Sequence, residues 1–347
     1  MFSSARLIKL ALLTNSIKEP FLKRSINSSS VGILGAPFNK GQPKEGVEKA
    51  PDALRKLGLI KNLTQLGVNV KDFGNIQFDQ VADKSTETFG ILKFPLTVGA
   101  ACKKVSNAVK EVLQENRICV TIGGDHSLGL GTIHGHSEIN DVCVLWVDAH
   151  ADINTPGTTY SGFMHGLPCS FFVEELQKYQ CHLEGFDWVT PRIKKENLAY
   201  IGLRDIDPLE KLILMKEGIL HFTMADVDKL GIYEVTRRAL EAINPSGKLS
   251  LHVSFDIDAI CKLEAPSTGT PVVGGLTTRE AFCLAEEIAN LENFKALDIM
   301  EINPTLGTRT EIDNTLDIGM KLIKAFLGHS RRGSPPANVT DIPIARQ

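Results

Sequence analysis

The sequence Val142-Cys143-Val144-Leu145-Trp146-Val147 runs directly into Asp148-Ala149-His150-Ala151-Asp152. The apolar run predicts a buried strand. Side chains at positions i, i+2 and i+4 of an extended chain project to one side, so Asp148, His150 and Asp152 share a face. The pattern therefore predicts a strand that carries metal-ligating side chains at its end.

Two more apolar runs end in the same way. Ile118–Ile122 precedes Gly123-Gly124-Asp125-His126-Ser127, and Leu251–Phe255 precedes Asp256-Ile257-Asp258. A single Asp at a strand end is often only a helix cap or a loop residue. A joint occurrence of acid-x-His-x-Asp, Asp-x-Asp and Gly-Gly-Asp-His is far less ambiguous and indicates a metal site.

Carboxylates gathered in one cleft cannot all stay ionised without a compensating positive charge. Two divalent cations would supply it. Hard oxygen ligands favour Mg, Ca or Mn, and imidazole favours transition metals, so Mn(II) fits best, with Co(II), Fe(II) or Zn(II) as substitutes. The predicted ligands are His126, Asp148, His150, Asp152, Asp256 and Asp258.

Length and composition limit the class of protein. A chain of 347 residues with 43% hydrophobic residues accommodates one α/β domain of about 300 residues plus extensions. The formal net charge of -3 gives no support for nucleic acid as a partner. No uncharged apolar run approaches the roughly 20 residues of a membrane-spanning helix. The seven cysteines lack any C-x-x-C spacing and indicate reduced thiols.

Apolar runs alternate with helical patterns along the chain. This alternation predicts a mainly parallel sheet with helices on both faces, and an open sheet is favoured over a closed barrel. In open parallel sheets ligands bind outside the carboxyl ends of the strands, where the polar motifs fall. Strands are predicted near 31–36, 69–73, 117–122, 142–147, 198–202, 219–223, 250–255 and 295–300. Helices are predicted over 51–66, 97–115, 127–135, 208–217, 231–243, 278–290 and 311–327.

A glycine-rich segment and two histidines give no further indication of function. The glycines from Gly129 to Gly135 resemble a dinucleotide-binding loop, but the third glycine comes one position late. His252 lies within an apolar strand and is interpreted as a packing residue. His136 has no partner at a useful spacing.

From about Val31 to Gly333 the chain resembles the ureohydrolase family, and within it the arginases. The resemblance rests on the three motifs above together with Met164-His165-Gly166, Gly202-Leu203-Arg204-Asp205-Ile206-Asp207 and Glu301-Ile302-Asn303-Pro304. It implies a three-layer α/β/α sandwich with a mainly parallel eight-stranded sheet, two Mn(II) ions per subunit and a homotrimer. It also implies hydrolysis of L-arginine to L-ornithine and urea by a metal-bridging hydroxide.

The resemblance assigns a role to each site residue. His126 and Asp152 would bind one metal, and His150 and Asp258 the other, with Asp148 and Asp256 bridging both. The catalytic set is Asp152 as proton acceptor and donor, His165 as proton relay at the mouth, and Glu301, whose carboxylate suits the planar guanidinium. The α-carboxylate of the substrate would be contacted by Asn154, Thr159 and Ser161. The α-ammonium would be contacted by Asp207 directly and by Glu210 through water. Thr270 completes the substrate-binding set.

Two departures from the family pattern keep alternatives open. Phe163 stands where arginases commonly have asparagine, and Ala259-Ile260-Cys261-Lys262 replaces Gly-Leu-Asp-Pro. These departures keep open a weakened or non-catalytic arginase homologue. A separate alternative is an agmatinase-like guanidino hydrolase, which would not need a carboxylate receptor.

The first 30 residues form a separate segment. They contain five basic residues and one acid around an apolar stretch at Leu7–Leu13, which resembles a mitochondrial transit peptide. The alternative is a dispensable flexible leader. The predicted organisation is a leader at 1–30, a catalytic domain at 31–333 and a flexible tail at 334–347, with the mitochondrial matrix as location and the cytoplasm as alternative.

Overall fold

Eight parallel strands form one open sheet in the computed structural model, which describes residues 30–78 and 87–333. The order is β2-β1-β5-β10-β9-β6-β7-β8, and every neighbouring pair in it is parallel. All eight predicted strands are confirmed, as is the open sheet. The predicted tail and all but the last residue of the predicted leader lie outside the described residues. The strands of the sheet are β1 Ser30–Gly35, β2 Asn69–Asn75, β5 Ile118–Ile122, β6 Val142–Val147, β7 Leu198–Leu203, β8 Leu220–Thr223, β9 Ser250–Asp256 and β10 Phe294–Met300.

Helices cover both faces of the sheet and bury two separate hydrophobic cores. One core gathers side chains from the helices within residues 50–65 and 224–326, and the other from the helices within residues 95–217. Because the connections between parallel strands must cross over the sheet, this two-sided cover gives the three-layer α/β/α sandwich. The helices are α1 Ala50–Lys56, α2 Leu59–Gln65, α3 Pro95–Gln114, α4 Gly129–Ser137, α5 Pro168–Phe172, α6 Pro208–Glu217, α7 Met224–Leu230, α8 Ile232–Ile243, α9 Thr278–Ala289 and α10 Arg309–Phe326.

The structure differs from the sequence-based predictions at three places. The helix predicted over 51–66 is two helices, because Gly58 adopts a left-handed conformation with φ of 87° between them. The hairpin of β3 (Thr88–Phe89) and β4 (Leu92–Lys93) was not predicted, since two-residue strands carry no period. The short helices α5 and α7 were also not predicted.

Helix α4 contains the glycines that resemble a dinucleotide-binding loop. A Cβ on Gly131 would lie 2.4 Å from the carbonyl oxygen of Cys102, and one on Gly135 would lie 2.3 Å from that of Ser106. Both carbonyls belong to α3, so these glycines allow the two helices to approach closely. The helix N-terminus follows the turn that carries His126.

Among residues 30–78 and 87–333, none of the helices is both long and apolar enough to cross a membrane.

Candidate metal centre

The predicted ligands converge at the carboxyl ends of neighbouring strands. His126 lies in the turn after β5, Asp148 follows β6 directly, and Asp256 is the last residue of β9. Since all these strands are parallel and β10 lies between β5 and β9, their ends meet at one edge. The sheet therefore brings together residues that are more than 100 positions apart in sequence.

Two groups of side chains there could each hold an ion. His126, Asp148 and Asp152 form one group, and Asp148, His150 and Asp258 form the other, each with ligand atoms within 4.8 Å of one another. Both groups contain Asp148. The remaining predicted ligand, Asp256, places Oδ2 3.1 Å from His126 Nδ1. The arrangement suits two cations that share a carboxylate.

The electrostatics of the cluster also require a cation. Asp148, Asp256 and Asp258 are buried, and no Lys or Arg among the described residues forms an ion pair with them. Burial, reinforced by Asp258 and Asp148, raises the pKa of Asp256 well above its usual value. Although burial opposes it, the carboxylates hold the pKa of His126 well above its usual range. The donor set fits divalent cations, whose charge would offset this repulsion.

Hydrogen bonds fix the orientation of the two predicted bridging carboxylates. Asp148 accepts the backbone N–H of His150 at 2.7 Å through Oδ1 and the indole N–H of Trp146 at 3.0 Å through Oδ2. Asp256 accepts the backbone N–H of Asp258 at 2.8 Å. These bonds leave each carboxylate few alternative rotamers, so the cluster is preorganised.

Trp146 is a site residue that the sequence analysis did not identify. Its ring stacks on the His126 imidazole, with centroids 4.0 Å apart and planes inclined by 10°. The signal was present, because Trp146 lies two positions before Asp148 and period two places both on the same strand face. Ser254, two positions before Asp256, was missed in the same way and lies 2.9 Å from His126 Nε2.

Two of the three predicted catalytic residues have a strained backbone. Asp152 and Glu301 adopt positive φ angles of 48° and 62°, and only Phe94 and Asn116 do so among the other described residues that are not glycine. Such conformations cost about 1–3 kcal/mol each and persist where the surroundings impose them.

Glu301 is buried and lies beside the cluster. Its Oε1 accepts the backbone N–H of His126 at 2.9 Å and lies 3.3 Å from Nδ1 of His165. His165 is partly exposed and its backbone N–H is held by the carbonyl of Gly41. The structure therefore brings together a buried carboxylate and an imidazole that reaches solvent.

The predicted substrate-binding residues lie on loops around this cluster. Asn154 donates its side-chain N–H to Asp207 at 3.0 Å, while Thr159 and the exposed Ser161 accept backbone N–H groups of their own loop at 3.1 Å and 3.2 Å. Thr270 donates its hydroxyl to Asp258 at 3.0 Å. Asn154 is thus bonded to Asp207, and Thr270 is bonded to the predicted metal ligand Asp258.

Glu210 has a different environment from the other substrate-binding candidates. It is buried, and its carboxylate accepts the backbone N–H of Ile153 at 3.0 Å and that of Asp207 at 3.1 Å. Burial raises the pKa of Glu210 to about 7. These bonds hold the loop after Asp152 against the start of α6, while a contact with substrate stays a prediction.

Comparison with known proteins identifies the family. The arginase family matches residues 29–328. The chain belongs to the arginase family. The hepatic arginase of Aquarana catesbeiana is 46% identical over 306 residues, 88% of this chain and 94% of that protein. The mitochondrial arginase-2 of Homo sapiens is 44% identical over 326 residues, 93% of this chain and 91% of that protein.

A solved structure of the arginase family agrees with the fold. The arginase of Entamoeba histolytica in complex with L-ornithine matches with a TM-score of 0.76 and 30% identity, covering 87% of this chain and 99% of that chain. Membership of the arginase family makes the protein a hydrolase and accounts for the metal-binding cluster.

One departure from the arginase-family pattern has a structural explanation. The segment 259–262 is held by its backbone: the Arg204 guanidinium donates to the carbonyl of Asp258 at 2.6 Å and to that of Ala259 at 3.3 Å. The N–H of Cys261 bonds the carbonyl of Leu276. Because main-chain groups make these contacts, different side chains at Ala259 and Cys261 leave the position of Asp258 intact.

Proposed function

We propose that the protein is a manganese enzyme with a binuclear centre that hydrolyses L-arginine to L-ornithine and urea. The reaction follows from the family. The proposal of manganese depends on the donor set, since carboxylate oxygens and imidazole together suit Mn(II). The observation that supports the binuclear centre is the pair of ligand groups that share Asp148.

The metal ligands are assigned by position in the cluster. His126 and Asp152 would hold one ion and His150 and Asp258 the other, and Asp148 and Asp256 would contribute to both. When bound, the two cations activate water for attack on the guanidinium carbon.

The side chains of this protein then orient substrate and move protons. Glu301 receives the guanidinium through charge-assisted hydrogen bonds, which its burial strengthens. The water oxygen bonds to the guanidinium carbon, the bond from that carbon to the ornithine nitrogen breaks, and that nitrogen takes a proton. Asp152 accepts the proton from water and delivers it to the leaving nitrogen, and His165 exchanges protons with solvent.

Selectivity for arginine comes from the loops. Asn154, Thr159 and Ser161 present donors for the α-carboxylate, and Asp207 presents a carboxylate for the α-ammonium. A hydrogen bond to a charged group contributes about 1.5–3 kcal/mol. Agmatine lacks the carboxylate and would lose those contacts. Thr270, which donates to Asp258, completes this set beside the metal ligand.

Assembly and location are further parts of the proposal. We assign a homotrimer and the mitochondrial matrix, with residues 1–30 as transit peptide, 31–333 as catalytic domain and 334–347 as tail. The human relative that is named as mitochondrial supports the location. The cytoplasm is the alternative. Size measurement of the purified protein and imaging of a fusion with and without residues 1–30 test these assignments.

The decisive experiment measures urea release from L-arginine and agmatine by the Mn(II)-loaded protein and by the chelated protein. We expect urea from arginine at a far higher kcat/KM than from agmatine, and only after metal loading. Preference for agmatine would contradict the substrate. Absence of urea from both substrates, with two bound ions, would favour the non-catalytic homologue.

A further inference from the structure

A chain of buried polar side chains extends behind His126 into the sheet. His126 Nε2 lies 2.9 Å from the hydroxyl of Ser254, and that hydroxyl lies 3.1 Å from Asp298 Oδ2. Thr132 and His252 also reach Asp298 Oδ2, at 2.6 Å and 2.8 Å. All five side chains are buried. Asp298 lies opposite Ser254 in the register of β9 and β10, so the sheet itself places them together.

The hydrogen bonds of this chain have one consistent direction. Thr132 and Ser254 both donate their hydroxyl protons to Asp298 Oδ2, and His252 Nε2 lies 2.8 Å from the same oxygen. Ser254 has a single hydroxyl proton. Because that proton goes to Asp298, the Ser254 oxygen accepts the N–H of His126 Nε2. The Nε2 proton of His126 is therefore held by Ser254, and Nδ1 is the nitrogen that must give up its proton to bind metal.

Without its proton, His126 Nδ1 directs a lone pair at the cluster. It lies 3.1 Å from Asp148 Oδ2, 3.1 Å from Asp256 Oδ2 and 3.4 Å from Asp152 Oδ2. A lone pair against three carboxylate oxygens is repulsive. A cation among these four atoms converts the repulsion into coordination, so the chain of hydrogen bonds prepares the site for metal.

The chain continues away from the site through two histidines. His252 Nδ1 lies 3.2 Å from His136 Nδ1, and His136 Nε2 lies 2.7 Å from Ser250 Oγ. Burial, together with the neighbouring His252, holds the pKa of His136 well below its usual value, so His136 is neutral. The polar chain thus runs from His126 through Ser254, Asp298 and His252 to His136.

We propose that Asp298 is a positioning residue for the metal centre. Through Ser254 it fixes His126 in the tautomer whose Nδ1 binds metal, and so sets the affinity of the His126 site for a divalent cation. The inference rests on the metal centre of the proposed function and is independent of which guanidino compound is the substrate.

The test is Asp298→Asn, assayed by Mn(II) titration of the metal-free protein. The amide can donate to Ser254, which frees the Ser254 hydroxyl to donate to His126 Nε2 and moves the histidine proton to Nδ1. We expect a loss of about 10- to 100-fold in affinity at one of the two sites. The other site, with His150 and Asp258, should keep its affinity within about twofold.

Two companion variants separate positioning from loss of stability. Ser254→Ala should weaken the same single site, and combining it with Asp298→Asn should add nothing further, because Asp298 acts through Ser254. Thr132→Val removes another hydrogen bond to Asp298 without touching His126. It should lower the melting temperature but leave both affinities unchanged. Additive losses in the double variant, or an equal loss in Thr132→Val, would overturn the inference.

A measurement without substitution covers the case in which Asp298→Asn does not fold. Neutron diffraction from the metal-loaded wild-type protein should show the Ser254 deuteron directed at Asp298 Oδ2. A deuteron on Asp298 itself would refute the proposal. If the wild-type protein takes up two Mn(II) ions and Asp298→Asn binds both as tightly, only this inference fails. If the wild-type protein takes up none, the proposed metal centre fails with it.

Discussion

The floor and the rim of the site are built by different means. The floor (His126, Asp148, Asp256 and Asp258) is buried and lies at the ends of sheet strands, with contacts between residues more than 100 positions apart, such as His126 and Asp256. The rim (Ser161, Phe163, His165 and Thr270) lies on loops and is partly or fully exposed. In the rim, by contrast, the hydroxyl of Ser161 accepts the backbone N–H of Phe163, which is only two residues away.

This difference separates chemistry from selectivity. Parallel pairing fixes the floor to the geometry of the sheet, so any change there disturbs the metal ligands. Apart from Thr270, which donates to Asp258, the rim can change without moving those ligands, and one of the two departures from the family pattern, Phe163, lies in it. We therefore expect substitutions in the floor to abolish metal binding and substitutions of Ser161 and Phe163 in the rim to alter affinity for substrate.

The largest effect is expected for Asp256→Ala in the floor. Losing a shared carboxylate should remove at least one ion and lower kcat/KM more than about a thousandfold, because water is then no longer activated. Metal analysis and urea assays check this. Asp187→Ala, an exposed acid paired with His182, is the matched control and should change neither quantity. Two ions bound to the Asp256→Ala variant would contradict the assigned role.

Glu301→Gln tests a buried carboxylate beside the floor, which is expected to bind substrate and not metal. The amide oxygen can still accept the N–H of His126, so both ions should remain. Two charge-assisted hydrogen bonds to the guanidinium weaken, and kcat/KM should fall by about 10²- to 10³-fold. Steady-state kinetics with metal analysis measures both. Loss of metal in this variant would assign Glu301 to the metal centre instead.

His165→Ala addresses the residue that joins floor and rim. The variant should keep both ions, while kcat falls about a hundredfold, at the low end for general acid–base catalysis, because protons reach the site only through water. Added imidazole should restore part of the rate. A change in KM alone, with kcat intact, would assign His165 to substrate binding.

The floor could be predicted from sequence, because each ligand follows an apolar run. The strand period named Asp148, His150 and Asp152 together, although β6 ends at Val147 and Asp152 lies beyond it with φ of 48°. Of the supporting residues, only Trp146 and Ser254, each two positions before a ligand, carried a local signal. The prediction that His136 has no partner is wrong, because β9 brings His252 within 3.2 Å of it across 116 positions. Such pairs depend on strand order and register, which no local pattern carries. The break at Gly58 likewise depends on a backbone conformation that periodicity does not reveal.

Ser161→Ala should have a smaller effect, confined to one substrate. Removing a donor to the α-carboxylate should raise KM for L-arginine about tenfold and leave agmatine unchanged. Tyr160→Phe, at the exposed neighbouring position, is the control and should not alter either KM. Equal losses on both substrates would show that Ser161 shapes the loop and does not read the carboxylate.

The smallest effect is expected for Phe163→Asn, and its sign is favourable. Lys93 Nζ lies 3.8 Å from the Phe163 ring centroid, so the ring occupies the rim and holds a cation. Asparagine adds a hydrogen-bond donor and releases Lys93, and both changes should lower KM for L-arginine. The decrease should be only a few-fold, because a cation–π contact is worth only about 0.5–1 kcal/mol. Phe163→Leu removes the ring without adding a donor and should not lower KM. An equal gain in both variants would mean that the ring obstructs the entrance and that hydrogen bonding at this position has no part in selectivity.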